Sequence, residues 1–194
     1  MKSNICVGAA EAESGRALRL IPRDRSEYHS WPDFDAPIGS VVTLRGSRAV
    51  RVEPPHTEDF LVSAWERSGA IDDLAAWISG RCVVWSGDRR CLFEGLVAFT
   101  PRGKGRVERG ARLPSASVGF WELPAPMRLQ SSDRQRYTLG GPLPVDVPYV
   151  GIGAAPGVLR AGTLVRLSLS RWWAPADGSM QEACWLQLSG VIEG

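Results

Sequence analysis

The stretch Ser68-Gly-Ala-Ile-Asp-Asp-Leu-Ala-Ala-Trp-Ile-Ser-Gly80 carries the only helical pattern in a chain that otherwise alternates like strand. Ser68 is placed to cap it, Asp72 and Asp73 suit the positive end of a helix, and Gly80 stops it. Ile71, Leu74, Ala75 and Ile78 recur at helical spacing, which gives one apolar face to pack on a sheet. The spacing therefore predicts a helix near 68–79. Its position matters more than its length, because three strand-like segments precede it and two follow.

Those segments are legible from β-branched and apolar runs bounded by turn residues. Before the helix stand Ser3–Ala9, Arg16–Pro22 and Ile38–Val52, the last broken at Gly46 as a bulge or hairpin would be. After it come Arg81–Ser86 and Cys91–Phe99, joined by Gly87–Arg90. Three strands, a helix and two strands is the order of an OB-fold barrel. Beyond Ala116 the chain is β again, in Ser117–Leu123, Met127–Ser132, Gln135–Gly140, Val145–Gly153, Gly162–Trp173 and Ala183–Gly194, with no evident helix. We expect an all-β protein with one short helix, built as two OB-like barrels packed together: residues 1–110, and residues 111–194. A β-sandwich would satisfy the same periodicity.

Composition narrows the function. The 194 residues are 44% hydrophobic and 23% charged, a globular balance with no run long enough to span a bilayer. The N-terminus turns acidic at Glu11 and Glu13, unlike a signal peptide, so we expect a cytoplasmic protein with no membrane association. Cys6, Cys82, Cys91 and Cys184 form no CxxC pair and sit in apolar runs, which suggests buried thiols rather than disulfides or a zinc site. No cofactor or metal is implied.

Net charge is only +2, but it is uneven. Residues 81–136 hold 11 basic and 5 acidic side chains, a local excess of six. Within it Arg102, Lys104, Arg106, Arg109 and Arg112 lie in a Gly-rich stretch whose glycines would leave it mobile until bound. Single strands are held by arginines along the backbone and by aromatic faces worth about 1–3 kcal/mol per stacked base. Aromatic and basic side chains coincide at Trp31, at Arg134, Arg136 and Tyr137, and at Arg171 and Trp172. Strand alternation puts the Trp172 and Trp173 indoles on opposite sides, one in the core and one exposed.

Pro54-Pro55-His56-Thr57-Glu58-Asp59 concentrates a histidine and two carboxylates. Adjacent side chains in extended chain point apart, which suits neither a metal site nor a general base with its orienting group. We read it as a turn, with the prolines setting the backbone and the polar groups bonding to it. The other histidine, His29, lies in a separate loop, and no nucleophile–base set can be assembled. Gly151–Gly157 lacks a following amphipathic helix and reads as turn chemistry rather than a phosphate loop.

The segments Cys6–Ala10, Ser14–Asp24, Pro37–Gly46, Pro54–Val62, Met127–Leu143 and Cys184–Gly194 together resemble the dual OB-containing domain family of bacterial proteins. Cys6, Arg19, Pro22, Pro54, Pro55, Glu58, Asp59, Arg128, Tyr137, Leu139, Leu186, Gly190, Val191 and Ile192 occupy comparable places. Two features depart from that pattern: Val7–Arg16 replaces a more polar sequence, and Trp185 stands near an expected lysine. The resemblance implies nucleic-acid or nucleotide binding in conflict systems directed against phage, without a known catalytic centre. The expected function is therefore that of a non-catalytic accessory protein of a bacterial antiviral defence system, binding single-stranded DNA or RNA. The alternative is an adaptor subunit that docks a protein partner in a multi-subunit system.

Overall fold

A computed structural model describes residues 7–23, 34–130, 135–178 and 180–192. It is mostly β, 45% strand against 9% helix, with curled sheets that include a half-barrel. The chain divides into two compact units, one ending at Cys82 and the other beginning at Val83.

The first unit is a four-stranded sheet. β1 (Val7–Ala10) pairs antiparallel with β2 (Ala17–Pro22); β2 runs parallel to β4 (Asp59–Ala70), which pairs antiparallel with β3 (Ser40–Arg48). The break expected at Gly46 is a register shift between Arg45 and Gly46, where a Cβ would lie 2.1 Å from the Leu61 carbonyl oxygen. Helix α1 (Leu74–Arg81) follows, so the helix begins six residues later than the sequence pattern predicts. Ser68 does not cap it. Ser40 and Val41 recruit Ala70 and Gly69 into β4, and Asp73 caps instead, accepting from the Ala76 N–H at 2.8 Å. Long-range pairing outweighs local helix propensity at this point.

Among the described residues the second unit holds ten strands: β5 (Val84–Ser86), β6 (Ala98–Phe99), β7 (Gly105–Glu108), β8 (Val118–Glu122), β9 (Met127–Gln130), β10 (Arg136–Leu139), β11 (Val145–Pro148), β12 (Val158–Leu159), β13 (Leu164–Leu169) and β14 (Ala183–Ile192). They form a six-stranded sheet, β5-β8-β13-β14-β7-β6, and a four-stranded sheet, β11-β10-β9-β12. A parallel bridge from Tyr149 to Leu188 joins the end of β11 to β14. Residues 84–108 thus pair with strands of the second half, through β5 on β8 and β7 on β14. The division between the units therefore falls at Cys82–Val83, ahead of the boundary at 110 that the sequence predicts.

One apolar cluster fills this unit, from Trp121, Leu123 and Met127 through Tyr137, Val145 and Val147 to Val165, Leu167, Cys184, Leu186 and Leu188. Leu92 and Phe93 enter it from Arg89–Gly95, a 3-10 segment where the sequence suggested strand. Phe93, Glu94 and Gly95 all have positive φ (50°, 61° and 75°), a left-handed turn that buries Phe93 against Trp85 at 4.5 Å.

The cysteine expectation holds in part among the described residues. Cys184 is buried, whereas Cys82 and Cys91 are half-exposed free thiols. Cys6 lies outside the described residues.

Candidate nucleic-acid interface

The Arg102–Arg112 stretch is not a free tether. β6 and β7 form a hairpin closed by Thr100 and Lys104: the Thr100 N–H donates to the Lys104 carbonyl at 2.9 Å, and the Lys104 N–H to the Thr100 hydroxyl at 3.1 Å. Gly103, at φ 87°, presses on the loop between β10 and β11, where an added Cβ would meet the Pro144 carbonyl oxygen at 2.7 Å. Its own carbonyl accepts from the Asp146 N–H. Gly103 is thereby fixed by packing rather than left mobile, and the turn holds Arg102 and Lys104 out in solvent. Arg112 is exposed in the loop after β7, and none of these three cations has an ion-pair partner among the described residues.

Past the turn, side chains divide by strand alternation. On β7 Val107 enters the core, while Arg106 and Glu108 face away from it. On β14 Cys184, Leu186 and Leu188 are core, so Trp185, Gln187 and Ser189 share the outer face. The register sets Trp185 opposite Arg106 and Ala183 opposite Glu108. Trp173 bridges Ala183 from the other side and so lies on the same outer face, 55% exposed. Further along that face β13 and β8 bring Arg166 opposite Phe120. The result is an outer sheet surface carrying Trp173, Trp185 and Arg106 together.

Two tryptophans carry a guanidinium over the ring. The Arg106 Cζ stands 5.4 Å from the Trp185 centroid, and the Arg109 Cζ 4.4 Å from that of Trp172. Each arginine is also held by a carboxylate. Glu108 Oε1 accepts from Arg106 Nε at 2.8 Å and Nη2 at 2.6 Å, and Glu182 accepts from Arg109 Nε. Arg136, on β10, donates from Nε to Asp146 at 2.7 Å. Three of the cations predicted for phosphate contact are therefore neutralised within their own sheets.

Tyr137 is not a stacking platform. It is fully buried, with its phenol donating to the Pro156 carbonyl at 2.5 Å, and desolvation together with Tyr149 pushes its pKa up to about 12. Trp172, the indole named for contact, packs against the core, and its neighbour Trp173 is the exposed one. Arg171 is half-buried between β13 and Trp172. Trp31 and Arg134 lie outside the described residues. Glu108 and Glu182 were not singled out from the sequence, while Trp173 and Trp185 were noted there but not named for contact. The alternation in Ala183-Cys-Trp-Leu-Gln-Leu-Ser189 was the signal for Trp185, but the carboxylate partners depend on strand register.

No family model, curated protein or solved structure matches the chain. The polar stretch 54–59 lies in the first unit and is a turn leading into β4: the His56 N–H donates to the Glu53 carbonyl at 3.0 Å and the Thr57 N–H to Pro55 at 2.9 Å. His56, Glu58 and Asp59 are buried there, and Asp59 forms an ion pair with Arg19 of β2. Among the described residues no group of His, Cys, Asp and Glu is arranged to hold a metal, and no helix is long and apolar enough to cross a membrane. Burial pushes the Cys82 and Cys91 thiols up, away from the thiolate that a nucleophile needs.

Proposed function

We propose that this chain is a non-catalytic, single-stranded nucleic-acid-binding protein and that its second unit is an OB-like barrel. The strand order supports the architecture. If β8 and β9 are two lengths of one bent first strand, β10, β11, β13 and β14 become the second to fifth. First pairs second, second pairs third, fifth pairs fourth, and fourth returns to first, while third touches fifth through the parallel Tyr149–Leu188 bridge. That is the circuit of the OB-fold, whose sheet faces and loops hold oligonucleotides. In the first unit four strands, β1 to β4, precede the helix, one more than the sequence order predicts, because Asp59–Ala70 forms β4.

The observation that carries the functional reading is the exposed Trp173 indole on the sheet face that also bears Trp185 and Arg106, with Arg102, Lys104 and Arg112 on the hairpin and the loop after it. Stacking on Trp173 supplies sequence-tolerant affinity, and the three unpaired cations supply attraction to phosphate. Service as an accessory subunit in a bacterial defence system rests on the family resemblance alone.

Fluorescence anisotropy of labelled 12-mer single strands and matched duplexes, in RNA and DNA, tests the reading. We expect single strands to bind and duplexes to bind less well, with Trp173→Ala reducing affinity about 5- to 150-fold, the range for a lost base stack. Flat anisotropy for every probe at low salt overturns it. The adaptor reading would then lead, favoured by the exposed Val150, Ile152 and Val158 around the β11–β12 loop.

A further inference from the structure

The Trp185–Arg106–Glu108 trio is built unlike a phosphate contact. A guanidinium has two faces for hydrogen bonding, a side edge through Nε and one Nη, and an end edge through both Nη atoms. Glu108 takes the side edge of Arg106 with a single oxygen, at 2.8 and 2.6 Å. The end edge, with Nη1 and the second Nη2 hydrogen, has no partner among the described residues, and the side chain is 27% exposed. Trp185 below the guanidinium limits its tilt, and Glu108 limits its rotation. The fork is thus held in one orientation before any ligand arrives, which lowers the entropy lost on binding.

What acceptor suits a fork that is already charge-neutralised? A phosphate or carboxylate would bring a second anion to a nitrogen that Glu108 already holds at 2.6 Å, and like charges that close repel. A neutral ligand with two adjacent acceptors meets no such penalty. On the edge that a duplex shows in its major groove, guanine alone presents two acceptors side by side, O6 and N7; adenine pairs an acceptor with a donor there, and the adjacent O2 and N3 acceptors of cytosine lie instead on its pairing edge.

We propose that Arg106 reads the O6/N7 edge of a guanine in a bound single strand, with Glu108 as its positioning residue and the exposed Trp173 stacking a neighbouring base. This deepens the nucleic-acid reading and rests on it. Trp172, Arg109 and Glu182 repeat the same three side-chain types beside it, with the Arg109 Nε again on a carboxylate.

The test compares a uridine 9-mer carrying one central guanosine with the same strand carrying adenosine or 7-deazaguanosine, by anisotropy competition. A bidentate contact is worth about 1–3 kcal/mol, so guanosine should bind about 5- to 150-fold tighter than adenosine, and 7-deazaguanosine should lose most of that margin. Arg106→Lys keeps the charge but not the fork, and should erase the preference while leaving the salt dependence unchanged. Glu108→Gln removes an anion and loosens the fork, so all strands should bind more tightly and the guanine margin should shrink. Both side chains face outward, and neither substitution touches the core. Equal affinity for guanosine and adenosine strands overturns the assignment while leaving nucleic-acid binding intact. A preference that survives Arg106→Lys also overturns it. If no strand binds at all, both readings fall together.

Discussion

The Glu94 carboxylate clamps Ser115, accepting from its backbone N–H at 3.1 and 3.2 Å and from its hydroxyl at 2.5 Å. Glu94 is one of two consecutive non-glycine residues with left-handed backbone, at φ 61° after Phe93 at 50°. Each such residue costs about 1–2 kcal/mol. Burial of Phe93 offsets part of that cost, and the clamp offsets more while tying residues 89–95 to the loop that carries Arg112. Glu94→Ala should lower unfolding stability by about 1–3 kcal/mol, as expected for losing hydrogen bonds to a charged group. Glu94→Gln keeps an acceptor and should cost less. Urea denaturation of the three proteins checks the order, and an unchanged midpoint in Glu94→Ala would show that the clamp contributes nothing.

Arg19 and Asp59 form an ion pair between parallel strands, with side chains 11% and 6% exposed. The Arg19 backbone N–H also donates to the Glu58 carbonyl at 2.8 Å, so the turn and the sheet are joined by backbone and side chain together. Removing one charge from a buried pair costs about 3–5 kcal/mol, because the other is left uncompensated. We expect Asp59→Asn to destabilise by that order, and Asp59→Asn with Arg19→Met to recover part of the loss. Urea midpoints of the single and double variants decide it: a double variant less stable than Asp59→Asn would mean that Arg19 has a separate structural role.

Most strands were legible because their side chains alternate, and alternation survives any tertiary arrangement. Leu164–Leu169 and Ala183–Ile192 are strands whose buried positions fall on every second residue for most of their length. The start of α1 was not legible, since Ser68 and Ala70 belong to β4 only because Ser40 and Val41 lie alongside. Nor could apolar Cys91–Phe99 reveal a left-handed turn at two residues that ordinarily avoid it. The basic composition of the centre was plain, but which arginines remain available was not. Arg106, Arg109 and Arg136 meet Glu108, Glu182 and Asp146 through register and loop closure, at sequence separations from 2 to 73.

Tyr137 makes an alkaline transition measurable. Its pKa rises from an ordinary 10.0 to about 12 through desolvation first and the neighbouring Tyr149 second. The folded state therefore keeps the phenol proton across a range where the unfolded chain has lost it. This stability is full below pH 10 and declines as pH rises toward about 12, by up to about 3 kcal/mol at 1.36 kcal/mol per pH unit. Tyr137→Phe should flatten that decline while losing the bond to Pro156. Denaturation midpoints between pH 9 and 12 test the sign, and a wild-type curve with the same slope as Tyr137→Phe would refute it.

Salt dependence separates stacking from charge in the proposed interface. If every predicted cation among the described residues met a phosphate, Arg102, Lys104, Arg106, Arg109, Arg112, Arg136 and Arg171 would give a log–log salt slope near −5 on single strands, at about −0.7 per contact. With Arg106, Arg109 and Arg136 each held by a carboxylate, Arg102, Lys104 and Arg112 are the predicted cations that stand exposed without an ion-pair partner. Three contacts predict a slope of about −2. Alanine at all three should bring it close to zero while leaving the stacking contribution of Trp173 in place. A slope near −5 would mean that the carboxylates release their arginines when nucleic acid binds. In that case Glu108 would act as a competitor of the phosphate, and Glu108→Gln would tighten binding without altering base preference.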